Sequence, residues 1–270
     1  MIDGLSLIGA GTDSCWIDSR QLVTMQNYKT IVMKDSCLVK GFYIRSSTNF
    51  GYGYGIWAEG QNGLITQNKF SEGNRGIALR ASNIEVYKNL FFNIRGGVDV
   101  FTSNSIVRKN EIYILTDQAG EGISIAALTA NYTPLIDSNN IITIGDGIVK
   151  SLGASPTIKN NCIFLDNAPR GIVSGIGGYV KIYNNIIYAE DGYEGIYGNG
   201  SYRKIINNHI AGNFLSYGIS HVGTGDTVKN NIITNCGGGI SVWNNQNVTI
   251  QYNNTWENDI NYAGDRKSVV

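Results

Sequence analysis

Two short phrases recur along this chain, and their spacing restricts the fold more than any other feature. The first is Gly followed by Ile or Val, at Gly55, Gly76, Gly97, Gly122, Gly147, Gly171, Gly195, Gly218 and Gly239. The second is aliphatic-x-x-Asn, ending at Asn68, Asn89, Asn110, Asn139, Asn161, Asn185, Asn208, Asn231 and Asn253. The glycines lie 21 to 25 residues apart and alternate with the asparagines without a gap. Such a period indicates a solenoid, in which each unit buries its apolar face on its neighbours.

The apolar runs inside each repeat are short, and they predict β-strands. Each run contains three to five residues, mostly Ile and Val, and is bounded by Gly or Asn. The leucine pattern of a leucine-rich repeat is missing, and no longer stretch carries a helical apolar stripe. Gly and Asn tolerate left-handed backbone, which a coil with three corners requires. An Asn at the same corner of every coil also predicts a ladder of stacked side-chain amides.

These phrases resemble the repeat of right-handed parallel β-helices of the pectate-lyase-like superfamily. The resemblance covers roughly residues 5 to 262 and implies an all-β fold of about ten coils, each with three short parallel strands. The Gly-Ile phrase would open the first strand, and the Ile-x-x-Asn phrase would close the second. Many activities share this repeat, so the resemblance is specific for the fold and not for the chemistry.

The unbroken repeat predicts one β-helix domain over residues 1–270. Residues 1–50 form irregular opening coils, 51–255 nine regular coils, and 256–270 a terminal segment. The chain enters an apolar strand at Leu5 without the polar cap that a solenoid end needs. We therefore expect a piece of a longer protein, secreted or on the cell surface, with other domains as possible partners.

Composition excludes several classes of function. The 21 basic and 21 acidic residues balance, so a general attraction to nucleic acid is not expected. No run of eighteen apolar residues predicts a membrane span. The four cysteines show no zinc spacing. We interpret them as small buried side chains that fill the core. A Cys15–Cys37 disulfide is the alternative, because these two residues are 22 positions apart, which is about one coil.

Alternation along the first strand predicts which side chains face outward. Residues two positions past each Gly form row one: Trp57, Ala78, Asp99, Ser124, Val149, Val173, Tyr197, Ser220 and Ser241. Residues four positions past each Gly form row two: Glu59, Arg80, Phe101, Ala126, Ser151, Gly175, Asn199, Val222 and Trp243. The resemblance implies that sites lie on this face.

A first cluster on these rows suggests catalysis. Glu59 and Asp99 lie two coils apart, roughly 9–10 Å along the rod, which is near the upper end for the two carboxylates of an inverting glycosidase. Arg80 between them would bind a sugar carboxylate, and Trp57 and Phe101 would stack on sugar rings. The alternative is a solvated surface on which Arg80 bridges two acids.

A second cluster suggests substrate binding through Tyr197, Asn199 and Trp243. His221 accompanies them but lies three positions past Gly218, which is nominally an inward position. Either the coil rotates there, or His221 is buried and neutral.

The two longest excursions from the repeat flank the strand that begins at Gly122, and loops of this kind often line a binding face. They add Asp117 and Glu121, which with Glu59 form a candidate calcium site because calcium prefers oxygen ligands. No other cofactor is indicated.

Two functions are favoured by the sequence, and a piece of a phage tail-spike is a third option for which no trimerisation segment is seen. One is a polysaccharide lyase or glycoside hydrolase, in which Arg80 or Lys150 is a lyase base or two carboxylates act as acid and base. The other is a non-catalytic carbohydrate-binding, adhesion or stalk module. The Asp-Asp and His-Gly motifs of the superfamily's polygalacturonases are missing, so no named activity carries over. High loop walls beside Asp99 would favour the enzyme, and a flat face the binding module.

Overall fold

The computed structural model describes residues 2–20, 29–47, 53–80, 83–116, 120–243 and 247–263. Within these ranges the regular structure is entirely β, which confirms the predicted fold class. The strands follow one another around about ten coils. No helix in the described ranges is long and apolar enough to cross a membrane.

Three faces run along the rod, and every strand pairs in parallel with its equivalents in the adjacent coils. The second face holds β1 (Ser6–Ile8), β4 (Leu38–Lys40), β7 (Gln61–Thr66), β10 (Asn83–Tyr87), β13 (Ile106–Arg108), β16 (Leu135–Asp137), β19 (Thr157–Lys159), β22 (Lys181–Tyr183), β24 (Lys204–Ile206), β26 (Thr227–Lys229) and β28 (Thr249–Gln251). The third face holds β2 (Trp16–Asp18), β5 (Tyr43–Arg45), β8 (Lys69–Ser71), β11 (Leu90–Phe92), β14 (Glu111–Ile114), β17 (Asn140–Thr143), β20 (Cys162–Leu165) and β29 (Asn254–Trp256).

The first face carries the strands that contain or follow the Gly phrase, together with one strand before the first phrase and one after the last. It holds β3 (Lys29–Met33), β6 (Tyr54–Ala58), β9 (Arg75–Arg80), β12 (Gly96–Phe101), β15 (Ile123–Ala126), β18 (Ile148–Leu152), β21 (Ala168–Ile176) and β30 (Ile260–Ala263). Three longer strands continue around the corner from the third face to the first: β23 (Ile186–Gly198), β25 (His209–Val222) and β27 (Ile232–Val242).

The predicted asparagine ladder stands at the corner between the second and third faces. In a representative coil, the backbone N and Nδ2 of Asn161 both donate to Asn185 Oδ1 at 3.0 Å. Asn161 Nδ2 also donates to Ile136 O, at 3.2 Å, in the preceding coil. The residue in the left-handed conformation is the one before each ladder Asn, such as Asn160 with φ 55°. Asn therefore recurs at this corner of each coil because of the hydrogen bonds that its side chain makes, and not because of its own backbone conformation.

Close approach between coils explains the repeated Gly. A Cβ built on Gly147 would lie 2.5 Å from Gly171 O and 2.8 Å from Ile163 Cγ2. Real Cβ atoms do not approach so closely, so a side chain at this corner would force the coils apart. The residue after the Gly, such as Ile148, points into the core and is fully buried.

All four cysteines are free, so the Cys15–Cys37 disulfide alternative was wrong. The prediction of buried fillers is confirmed for Cys37 and Cys236 and wrong for Cys162, which is exposed, and for Cys15, which is partly exposed. Cys37 precedes β4 on the second face, whereas Cys15 precedes β2 on the third face. Their sequence spacing matches one coil, but the opening coils are longer than that repeat. The two residues therefore belong to different corners.

Candidate functional site

The first face aligns row one as the repeat predicts. Paired residues join Trp57, Ala78, Asp99, Ser124, Val149, Val173, Tyr197 and Ser220 in sequence. The paired residues follow the predicted row two from Arg80 to Ala126. Beyond Ala126 the alignment moves by one residue, because Ala126 aligns with Leu152 across a β-bulge. Leu152 and Ile176 therefore replace the predicted Ser151 and Gly175. Val222, predicted to face outward, is fully buried.

Glu59 is held in a cluster of positive charge at the start of the face. Its carboxylate lies 2.7 Å from Lys34 Nζ and 3.4 Å from Lys29 Nζ. Trp57 Nε1 donates to Glu59 Oε1 at 2.5 Å. The hydrogen bond from Lys34 is the main cause that lowers the pKa of Glu59 to about 2. This carboxylate is stabilised in its ionised form and is unsuited to act as a general acid.

Arg80 stacks between two aromatic rings and does not bridge acids. Its guanidinium carbon lies 4.7 Å from the centroid of Trp57 and 3.6 Å from that of Phe101. No ion pair joins Arg80 to Glu59 or Asp99 in the described structure, so the interpretation that Arg80 bridges these acids was wrong. We call Trp57, Arg80 and Phe101 the opening patch.

The guanidinium that reaches Asp99 belongs to Arg75, in the preceding coil. Arg75 Nη1 lies 3.2 Å from Asp99 Oδ1, and Arg75 Nη2 lies 2.7 Å from Glu121 Oε2. Tyr54 Oη donates to Asp99 Oδ2 at 3.2 Å. Asp99 is only 3% exposed, and this burial outweighs the arginine and raises the pKa of its carboxyl to about 6.

The same face carries a further carboxylate that the sequence interpretation missed. Asp146 is half-buried, and desolvation raises its pKa to about 6. Arg170 follows in the next coil and binds Glu194 at 3.2 Å. We call Asp99, Glu121 and Asp146 the central carboxylates.

The signal for these residues lay one position before each repeated Gly. That position holds Arg75, Glu121, Asp146, Arg170 and Glu194 in different coils. The Gly turns inward at the corner, so the residue before it faces outward beside row one. Because we counted alternation only forward from the Gly, the outward orientation of the residue before the Gly was not predicted.

Calcium binding gains no geometric support from the described residues. They contain no group of three His, Cys, Asp or Glu side chains that could hold a metal ion. Glu121 is committed to Arg75, and Glu59 to two lysines. Asp117 lies outside the described residues.

A cleft of about 640 Å³ occupies the far end of the face. Its lining includes the predicted binding residues Tyr197, Asn199 and Trp243, together with Tyr179 and Tyr202. Trp243 is 79% exposed, Tyr179 61% and Tyr202 55%. Among the described residues that line it there is no Asp, Glu, Lys or Arg. The arrangement provides several aromatic surfaces at the edge of a concave site.

Residues 176–178 line one side of this cleft, and Lys150 binds this segment. Lys150, considered above as a lyase base, is fully buried and points into the rod. Its Nζ donates to Gly175 O at 2.9 Å, to Ile176 O at 2.8 Å, and to Gly177 O. Burial lowers the pKa of Lys150 to about 8. Lys150 therefore ties the 175–177 segment to the core and has no access to a substrate on the face.

Several solved structures resemble this one. The surface adhesin PfbA of Streptococcus pneumoniae has a TM-score of 0.64 at 12% identity, over 96% of this chain and 83% of the adhesin. The catalytic unit of an α-1,3-glucanase from Streptomyces thermodiastaticus has a TM-score of 0.60 at 14% identity, over 96% of this chain and 60% of the glucanase. The A-module of the mannuronan C-5 epimerase AlgE6 of Azotobacter vinelandii has a TM-score of 0.54 at 12% identity, over 94% and 84%. At these identities the likeness establishes the fold alone.

No curated protein sequence matches this chain. The family model for a right-handed β-helix region matches residues 12–143 and 122–268. These matches cover nearly the whole repeat, including every ladder Asn and every repeated Gly. The parallel pairing of successive coils agrees with them. The chain therefore belongs to the right-handed β-helix family.

Proposed function

We propose that this protein binds an extracellular polysaccharide along its first face, with the aromatic cleft as the principal binding site. The observation that carries the proposal is the set of exposed rings at the cleft, above all Trp243 at 79% exposure. Exposing a large aromatic ring to water is unfavourable in free energy, and a ligand that covers the ring removes this cost. The apolar faces of sugar rings suit such surfaces, because the ring edges keep their hydroxyl groups available for hydrogen bonds.

The polar groups around the cleft fit the same ligand. Asn199, Ser201 and Thr224 line it and offer uncharged donors and acceptors. The opening patch lies in the same row of the face as Tyr197, six coils away, or roughly 30 Å at the stacking distance of β-strands. In the proposal, Arg80 in this patch binds a carboxylate of the polymer while Trp57 and Phe101 support it. Only a chain-like ligand could occupy both sites.

The structural neighbours are consistent with a carbohydrate ligand at the cell surface. They include a surface adhesin, a glucanase and a mannuronan epimerase. By analogy we propose that this protein, as one β-helix domain, acts outside the cell. Calcium has no role in the proposal.

A second candidate function is cleavage of the bound polymer at the central carboxylates. The observation in its favour is that Asp99 and Asp146 both have pKa values raised to about 6 on the substrate face. Such acids can hold a proton near neutral pH and donate it to a leaving group, while Glu121 acts as base or nucleophile. Asp99 thus remains a catalytic candidate, whereas Arg80 is assigned to binding and Glu59, ion-paired with two lysines, is given no catalytic role.

Binding is tested by affinity electrophoresis and calorimetry on a panel of neutral and acidic polysaccharides. We expect Trp243→Ala to weaken binding about tenfold or more, as for an aromatic hot spot. The matched control is Trp256→Ala, because Trp256 is 40% exposed on the third face. Equal affinity of Trp243→Ala and the wild type, or no binding across the panel, would overturn the proposal.

Cleavage is tested with the same panel by measuring reducing ends and the ultraviolet absorbance of unsaturated uronates. New reducing ends without this absorbance indicate a hydrolase, and both signals together indicate a lyase. Asp99→Asn and Asp146→Asn should abolish turnover and retain binding. Glu85→Gln, on the second face, should change neither. Binding without turnover in the wild type would leave a non-catalytic binding module.

A further inference from the structure

One inward-facing row changes from apolar to polar halfway along the rod. It lies three positions past each repeated Gly, and its paired residues run Ala58, Leu79, Val100, Ile125, Lys150, Ser174 and Gly198. The first four are apolar and buried. The aromatic cleft begins where the row becomes polar. This coincidence suggests that inward polar side chains shape the cleft.

Gly198 has no side chain to fill its place in this row, and the side chain of Arg203 occupies that space. A Cβ built on Gly198 would lie 0.9 Å from Nη1 of Arg203. Arg203 is only 1% exposed, so its guanidinium occupies the interior beneath the cleft. Gly198 is needed here because any side chain would displace that group.

Asp226 holds Arg203 in place. Arg203 Nε lies 3.2 Å from Asp226 Oδ1 and 3.1 Å from Oδ2, and Nη2 also donates to Oδ2. The backbone N of Arg203 donates to Oδ1 at 2.7 Å, and Gly223 N donates to Oδ2 at 2.7 Å. The side chains are 1% and 0% exposed. This two-pronged geometry gives the guanidinium a single orientation.

The oriented guanidinium reaches the backbone of His221. Arg203 Nη2 donates to His221 O at 2.7 Å. His221 has φ 55°, a left-handed conformation that costs a non-glycine residue of the order of 1 kcal/mol. The pairing register shifts between Ile219 and Val222, so Val222 aligns with Val242 and fills the inward position. His221 is the extra residue of a β-bulge and turns outward.

The outward turn completes the aromatic surface of the cleft. The imidazole centroid of His221 lies 5.0 Å from that of Tyr197 and 5.4 Å from that of Trp243. His221 therefore lies between a ring of the preceding coil and a ring of the following coil. Without the bulge it would occupy the inward row, and the two rings would lose the group between them.

We propose that Arg203, oriented by Asp226, is a positioning residue that keeps His221 in the bulged conformation and thereby assembles the cleft. The role in ligand binding rests on the proposed function, but the effect on His221 can be measured without a ligand. Arg203 and Asp226 lie beneath the surface and do not line the cleft.

The direct test is the proton NMR spectrum of the histidine rings. The chain has only two histidines, so two sets of ring signals are expected. In the wild type, the His221 signals should be shifted by the ring currents of Tyr197 and Trp243. In the double variant Arg203→Met/Asp226→Asn, which leaves no unpaired buried charge, this shift should be lost. Lys204→Met, at the exposed neighbouring position, should preserve it.

Two further measurements keep the test decisive. Arg203→Lys retains the charge but cannot reach Asp226 and His221 O through one planar fork, so the His221 signals should move in this variant too. Polysaccharide affinity should fall about tenfold in the double variant. A folded double variant or Lys variant with wild-type His221 signals would overturn the proposal. Absence of wild-type polysaccharide binding would overturn the proposed function and leave the NMR result intact.

Discussion

Arg75 Nη1 lies 3.2 Å from Asp99 Oδ1, yet the pKa of Asp99 is raised to about 6. A nearby guanidinium ordinarily lowers the pKa of a carboxyl. Here the desolvation of a nearly inaccessible group outweighs that attraction, and Glu121 shares the same guanidinium. The consequence is a carboxylic acid held at a pKa useful for proton transfer, on the face that we assign to the polymer.

This relationship predicts how Asp99 affects stability as the pH changes. The folded-state pKa exceeds the unfolded value of about 3.9, so the folded protein binds the extra proton between about pH 4 and 6. The contribution of Asp99 to the free energy of unfolding is most favourable below pH 4, at up to about 3 kcal/mol, and it is lost as the pH rises through 6. Relative to wild type, Asp99→Asn should therefore gain stability between pH 4 and 6 in urea denaturation. Parallel curves for the two proteins would contradict the buried, raised-pKa assignment.

Lys150 predicts a second pH dependence, at alkaline pH. Its folded pKa of about 8 is below the unfolded value of about 10.4, so burying the charge destabilises the protein below pH 8. This penalty is relieved as the pH rises from about 8 to 10, by about 2–3 kcal/mol. Wild type should therefore gain stability relative to Lys150→Met over that interval. Lys159→Met, a partly exposed lysine on the second face, is the control and should show no such trend.

The asparagine ladder predicts a large effect at a single buried amide. Asn161→Ala removes the acceptor for Asn139 N and Nδ2 and the donor to Ile136 O. Because these groups remain buried, we expect a loss of about 2–4 kcal/mol in the free energy of unfolding. The neighbouring Asn160→Gly is the control, since glycine adopts its left-handed backbone without strain. Similar losses in both variants would show that the ladder bonds are not the cause.

The coil corner predicts a steric effect at the repeated Gly. In Gly147→Ala the new Cβ would meet a backbone oxygen at 2.5 Å, so adjacent coils must separate. We expect destabilisation of about 1–3 kcal/mol, as for overpacking in a core. Gly223→Ala is the comparison, because its nearest atom lies at 3.4 Å and its φ is ordinary. Thermal unfolding should separate the two, and a neutral Gly147→Ala would refute the close-approach argument.

The repeat allowed most of the architecture to be predicted. The asparagine ladder, the buried aliphatic residue after each Gly and the alignment from Trp57 to Tyr197 all follow from spacing, because stacked coils place equivalent residues at equivalent positions. The aromatic cleft was anticipated in part, since Tyr197 and Trp243 are large, periodic and near the end of the face.

The contacts within the site were harder to predict. Arg75, which reaches Asp99, stands before its Gly, and the inward turn of that Gly resets the alternation. Alternation counted forward from the Gly assigned this contact to Arg80 instead. In the structure, the guanidinium of Arg80 stacks on Trp57 and Phe101.

The sequence by itself determined the coil: where each corner lies, which residues enter the core and which amides form the ladder. These are set by local backbone preference and by a repeat that every coil shares. Only the tertiary structure decided which way His221 faces and what Lys150 and Arg203 bind. A β-bulge reverses the orientation of every residue after it, and whether one forms depends on contacts such as Arg203 with His221 O, between residues 18 positions apart.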